Sequence, residues 1–195
     1  MLKKELEADT VVGIDISAEM INLALDANCQ HPLGCKYEIC DAAVVPCYHN
    51  GRYDLVLGMY LLNYASCREQ LYRFAQQAFK LLKPGGRFIG YNNYPGDDPQ
   101  KFSKYRKYGF EKRGSSTQKE GDAIVYMITN PRDNSSFEIT NYYLPLQMHQ
   151  DLFDQAGFTS FEWQMPQVSP QSEFPQGYWD DYTQCIPMCA FEACK

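Results

Sequence analysis

Residues 11–17 read Val-Val-Gly-Ile-Asp-Ile-Ser, a short β-branched run that ends in an acid and passes into a serine. Ser17 stands where a helix N-cap belongs, and Met20, Ile21, Ala24 and Leu25 follow at the spacing of one apolar helical face. The stretch predicts a strand, a tight turn and a helix. Residues 37–40 repeat the strand signal and again end in an acid, Asp41, before a loop with Pro46 and Asn50-Gly51. Residues 53–60 (YDLVLGMY) are almost continuously apolar, as in a parallel strand covered on both faces. Ser66-Cys67-Arg68-Glu69 has the spacing of a capping box, and Leu71, Phe74, Ala75, Ala78 and Leu82 then recur at helical intervals until Lys83-Pro84-Gly85-Gly86. Residues 87–91 (RFIGY) form a fourth strand. Strand and helix signals thus alternate through the first ninety or so residues, which predicts an α/β sheet joined by right-handed crossovers.

Beyond Tyr94 the rhythm changes. Residues 95–118 are polar, aromatic and turn-rich, and residues 123–129 and 137–143 read as two strands around Pro131-Arg132-Asp133-Asn134, an inserted β-hairpin. Residues 148–156 predict a short helix ended by Gly157, residues 158–164 a strand and residues 185–193 a last one. Residues 166–182, rich in proline, glutamine and aromatics, are expected as an ordered loop over the edge of the sheet.

The composition suits one domain with a substantial core: 195 residues, 45% hydrophobic, 22% charged and 14% aromatic. Eighteen basic residues against 24 acidic ones give a formal charge of -6, so no basic field holds a phosphate backbone and nucleic acid is not an expected partner. The opening residues MLKKELEAD carry charge where a signal peptide needs an apolar segment, and no run is long enough to span a bilayer. The expectation is a cytoplasmic protein with no membrane partner. The eight cysteines lack any Cys-x-x-Cys spacing and only three histidines accompany them, so they read as reduced thiols with no metal site.

In an open parallel sheet, ligands bind beyond the carboxyl ends of the strands. Asp15 lies at such an end, where a carboxylate can accept hydrogen bonds from both hydroxyls of a ribose; equally, an acid before a helix is a favourable dipole partner. Asp41 closes the next strand and could accept from an adenine amino group, with Ala42 leaving room for the ring; an exposed turn acid is the plainer alternative. Taken together, Val12-Gly13-Ile14-Asp15-Ile16-Ser17 with Met20, Cys40-Asp41-Ala42, Tyr53-Asp54-Leu55-Val56 running to Tyr60-Leu61-Leu62-Asn63-Tyr64, and Leu82-Lys83-Pro84-Gly85-Gly86-Arg87-Phe88 resemble a class I S-adenosylmethionine-dependent methyltransferase. The resemblance covers nearly the whole chain. It implies a Rossmann-like, mostly parallel sheet with helices on both faces and S-adenosyl-L-methionine as cofactor. It also implies cofactor-binding positions at Asp15, Ile16, Met20, Asp41, Ala42, Met59 and Tyr60. The expected layout is a single domain over 1–195: a cofactor-binding half (1–93), an insertion that caps the substrate (94–146) and a closing helix and strands (147–195).

The chain departs from the family pattern at its start. Members begin with a strand and a glycine-rich turn of the E/D-x-G-x-G type, and no such segment occurs here. Leu2 and Leu6, four apart among lysine and glutamate, resemble the tail of the helix that follows that turn. The expectation is therefore a truncated chain whose first strand and turn, on the order of 30 residues with the helix, are missing. In the family's sheet that strand is central, so its removal leaves neighbours about 9.6 Å apart, twice the ordinary spacing of about 4.8 Å.

Methyl transfer is an in-line displacement in which protein side chains mainly align and shelter the reactants, so no signature catalytic residue is assigned. The insertion, with Tyr105, Tyr108, Tyr126, Tyr142 and Tyr143, together with Tyr91, Asn92 and Asn93 at the end of the fourth strand, is where a small-molecule acceptor is expected. Aromatic faces there could stabilise a sulfonium or an ammonium product; packing of a hairpin on the sheet is the alternative use for each ring. His149 opens the late helix and could serve as a base, but a surface histidine at a helix start is the favoured reading. Two other function classes stay open. One is a non-catalytic remnant that self-associates through the incomplete sheet. The other is a nicotinamide dehydrogenase, which lacks its Gly-x-Gly-x-x-Gly here.

Overall fold

The computed structural model describes residues 2–130 and 132–195. Met1, from the charged opening, and Pro131, from the expected hairpin turn, lie outside the described residues. The chain divides into two compact units, Met1–Tyr48 and His49–Lys195.

The first unit contains α1 (Leu2–Glu5), β1 (Val12–Asp15), α2 (Ala18–Gln30) and β2 (Lys36–Ile39). Its strands pair in parallel, from Val12 opposite Lys36 to Asp15 opposite Ile39. Gly13 lies against the ring of Tyr37: a β-carbon there would meet Cδ1 at 2.8 Å, so the close approach of ring and backbone requires glycine. Helix α2 starts as expected, with Ser17 Oγ accepting from the Met20 N–H at 3.3 Å. Its apolar face, in contrast, is largely open. Ile21 is its one buried residue, while Met20 and Leu23 are more than half exposed.

The second unit carries most of the core. A four-stranded sheet has the order β3 (Tyr53–Met59), β4 (Leu82–Asn93), β9 (Met188–Cys194), β8 (Ser160–Gln164). β3 and β4 are parallel, whereas β9 runs antiparallel to both β4 and β8, so three strands share one direction. Helices α3 (Arg68–Leu81) and α4 (Leu146–Ala156) pack on one another. They bury Leu71, Phe74, Ala75, Ala78 and Leu81 from α3, and Met148, His149, Leu152 and Phe153 from α4. Phe88, Phe153, Phe158, Phe161 and Phe191 form a continuous aromatic core, with Phe153 and Phe161 centroids 4.3 Å apart and Phe88 and Phe191 edge to face at 5.1 Å.

A second, antiparallel sheet joins β5 (Phe110–Arg113), β6 (Ala123–Thr129) and β7 (Ser136–Tyr142). It packs with a 3-10 segment, Pro99–Tyr108, around Phe102, Tyr105, Phe110, Ile124 and Tyr126. The expected hairpin is thus present and is extended by β5. The strand expected over 185–193 begins only at Met188, because Asp180–Cys185 form a short helix, α5. The capping box is also corrected: Cys67 is the N-cap of α3 and makes no side-chain cap bond, while Gln70 Oε1 accepts from the Ser66 N–H at 3.0 Å. Among the described residues, no helix is long and apolar enough to cross a membrane.

Candidate functional site

In the first unit both strand-end acids shape their own turns. Asp15 Oδ1 accepts from the Ser17 N–H at 2.8 Å, and Asp41 Oδ1 accepts from the Ala43 N–H, also at 2.8 Å. Each carboxylate is thereby oriented by one oxygen, and no hydrogen bond to the other oxygen occurs among the described residues. The two acids lie at the same end of the ladder, Asp41 two residues beyond its last pair. Asp15 pairs with Ile39, and the Asp15 carbonyl accepts from the Cys40 N–H at 2.9 Å, so Asp41 follows directly. Ile16 and Met20 stand exposed beside the first acid, at 71% and 53%, and Ala42 is half-buried beside the second. The arrangement leaves carboxylate oxygens able to accept hydrogen bonds at two points, with exposed apolar side chains adjacent in sequence.

In the second unit, β3 ends at Met59 and turns at Tyr60. Tyr60 adopts a left-handed backbone, φ 58°, an unfavourable conformation for a bulky residue, and its N–H donates to the Tyr91 carbonyl at 2.8 Å. Its ring meets that of Tyr91 edge to face at 5.8 Å. The two rings open onto a cleft of about 650 Å³ whose far wall comes from residues 166–183. There Tyr108 stacks on Trp179 with parallel planes at 5.1 Å, and Tyr182 stands edge-on to both. The Tyr91 and Tyr182 hydroxyls are 2.6 Å apart, and burial together with that bond holds the Tyr182 phenol well above the ordinary tyrosine value.

A separate small cavity of about 20 Å³ lies under the insertion, lined among others by Asn92, Asn93, Tyr142, Tyr143, Lys112 and His149. Asn92 Oδ1 and Asn93 Nδ2 are buried there without partners. The volume is that of about one water. Beside it Lys112, with 1% of its side chain exposed, donates to Asp97 Oδ2 and to the Pro187 carbonyl, each at 2.7 Å. Tyr105 donates to the other Asp97 oxygen. Burial works against both charges: it raises the Asp97 carboxyl and lowers the Lys112 ammonium to about 8, opposed by their mutual attraction.

The expected acceptor residues are therefore divided. Tyr91 and Tyr108 line the large cleft; Asn92, Asn93, Tyr142 and Tyr143 line the small cavity; Tyr105 and Tyr126 are core residues. His149 is not a surface residue as expected. It is 3% exposed, lies against Phe161 and Trp163, and donates from Nδ1 to the Pro145 carbonyl at 3.1 Å. Burial drives its pKa down to about 4. Phe174, Trp179 and Tyr182 line the cleft although no motif in the sequence singles them out. Their signal in the sequence is the concentration of aromatics within 166–182, where no periodicity indicates which way a ring turns.

Residues 1–86 match the family model of a methyltransferase domain. No curated protein matches the chain significantly. Among solved structures, the chain is similar to an S-adenosylmethionine-dependent methyltransferase from Mesorhizobium loti (16% identity, TM-score 0.62, covering 96% of this chain and 81% of that one). A SAM-dependent methyltransferase from Methanosarcina mazei gives 16% identity and TM-score 0.59 over 95% and 82% of the two chains. A S-adenosylmethionine-dependent methyltransferase from Clostridium acetobutylicum gives 13% and 0.60 over 97% and 76%. The chain therefore has the Rossmann-like fold of the class I S-adenosylmethionine-dependent methyltransferases, with residues 1–86 matching the methyltransferase-domain family.

Proposed function

We propose that the protein binds S-adenosylmethionine and transfers its methyl group to a small-molecule acceptor. The observation that carries this reading is the pair of turn-held acids, Asp15 and Asp41, at the carboxyl ends of adjacent parallel strands. Asp15 is assigned to the two ribose hydroxyls and Asp41 to the adenine amino group, with Ile16, Met20 and Ala42 as the apolar contacts of the base. These residues fit the nucleoside half of the donor. When bound, the donor supplies an electrophilic methyl carbon on a sulfonium. The chain's own part is to hold the nucleoside, to present an aromatic face to positive charge and to keep the acceptor out of bulk water. The net charge of -6 makes a small molecule a better acceptor than a nucleic acid.

Calorimetry with S-adenosylmethionine and its demethylated product tests the assignment. Binding of both is expected, with Asp15→Ala weakening it about tenfold or more, the loss of charge-assisted hydrogen bonds to a diol. No heat with either compound at millimolar concentration would remove the claim.

A second reading, a non-catalytic protein that associates with itself, draws on the exposed apolar side chains of the first unit, among them Ile16, Leu23, Ile39 and Val44. Light scattering separates the two: a monodisperse monomer that binds the donor excludes the second reading.

A further inference from the structure

The cleft beside Tyr60 has a composition that selects among acceptors. Seven aromatic residues line it, Tyr60, Tyr91, Phe174 and Trp179 among them, and among its lining residues the carboxylate of Glu173 is the one charged group. No lysine, arginine or histidine lines it, so a ligand carboxylate or phosphate would enter without a counter-charge. The ring cluster already holds one cation. Lys107 Nζ sits 5.0 Å from the Tyr108 centroid and 5.6 Å from that of Tyr178, and its charge is balanced by Asp181 Oδ2 at 2.8 Å. Within the cleft, the part-exposed rings of Tyr60 and Phe174 offer further aromatic surface, and Glu173 is the carboxylate at hand to balance a charge. The Tyr91–Tyr182 hydroxyl pair uses one hydrogen between two oxygens, which leaves a second O–H and an acceptor lone pair for a ligand.

We infer that this cleft is the acceptor site and that it takes an organic amine, held as its ammonium form, which carries no carboxylate or phosphate. This rests on the methyl-transfer reading above. In the transfer the amine first gives one N–H proton to solvent; its lone pair then forms the new N–C bond as the S–C bond of the donor breaks, and the sulfur keeps that bond's electron pair. The product is again a cation that the same rings accommodate.

The test uses the whole chain and three probes of similar size: choline, its uncharged isostere with carbon in place of nitrogen, and the anion pivalate. Choline is expected to bind about tenfold more tightly than the isostere, the ratio that a few aromatic faces give a cation, and pivalate not at all. Glu173→Gln, at an exposed position that leaves packing intact, is expected to weaken choline about threefold or more without changing the isostere. Trp179→Leu should do the same, with circular dichroism confirming the fold of each variant. Equal affinity for choline and the isostere, tighter binding of pivalate, or no binding of any probe would overturn the inference. A parallel titration with S-adenosylmethionine keeps the two claims apart. Donor binding without choline binding defeats only the amine site; choline binding without donor binding defeats the methyl-transfer reading.

Discussion

Helix α2 has 13 residues and buries one of them; helix α3 has 14 and buries five. The two are alike in length and both begin at a well-defined cap or turn, yet one lies on a two-stranded sheet and the other within an aromatic core. The difference teaches that the strand-end acids and the bulk of the buried apolar surface reside in different parts of the chain. The first unit is shaped by local devices, the Asx turns of Asp15 and Asp41 and the Ser17 cap, whereas the second unit is held by long-range packing. Segments with few buried apolar contacts open most readily, and a ligand that binds only the closed form shifts that balance.

Four measurements would break or sharpen this contrast. Phe191 is fully buried and its ring meets Phe88, Phe153, Phe161 and Trp163, so Phe191→Ala is expected to cost about 3–5 kcal/mol in urea denaturation. Leu23→Ala on α2, at 57% exposure, is expected to stay within about 0.5 kcal/mol; a comparable loss at both sites would erase the distinction. Next, Lys112→Ala strands the Asp97 carboxylate in the core and should cost about 3–5 kcal/mol, while Asp97→Asn combined with Lys112→Met should recover much of it, read from the same denaturation curves.

A smaller effect comes from pH. His149 is neutral in the folded state, with a pKa lowered from 6.5 to about 4 by burial. Between those values the unfolded chain binds the extra proton, so stability should fall as pH drops through that window and be unaffected by His149 above it. Urea midpoints measured across the window, with His149→Phe as the flatter control, check the sign. The smallest effect is chemical. Exposed Cys29 and Cys47 of the first unit should alkylate in the native protein, whereas buried Cys185 and Cys189 should wait for denaturation, as peptide mass spectrometry would show. Cys189 is slowed further because burial pushes its thiol up to about 11.

The parts of the fold readable from the sequence are those where one physical signal dominates. The runs that became β1, β3 and the latter part of β4 are apolar and bounded by turns, and α3 repeats its apolar residues at helical spacing. Strand β5 escaped notice because Phe-Glu-Lys-Arg alternates like a solvated edge, whereas the structure buries Lys112 against Asp97 and three aromatic rings. His149 was misplaced for the same reason: its polar neighbours Gln147, Gln150 and Asp151 suggest a wet helix start, and only the tertiary packing of Phe161 and Trp163 covers it. Of the candidate site, the acids at strand ends were legible because topology alone locates them. The wall of the cleft was not, since a segment without period gives no rule for which rings face inward.

Tyr60 carries a further consequence. Its left-handed backbone costs a bulky side chain about 1–2 kcal/mol that glycine would not incur. A library of variants at this position, selected only for heat resistance, should drift toward glycine or asparagine; the same library selected for the methyl transfer proposed above should retain an aromatic. Where those two outcomes part company, durability and catalytic fitness make opposing demands on one residue.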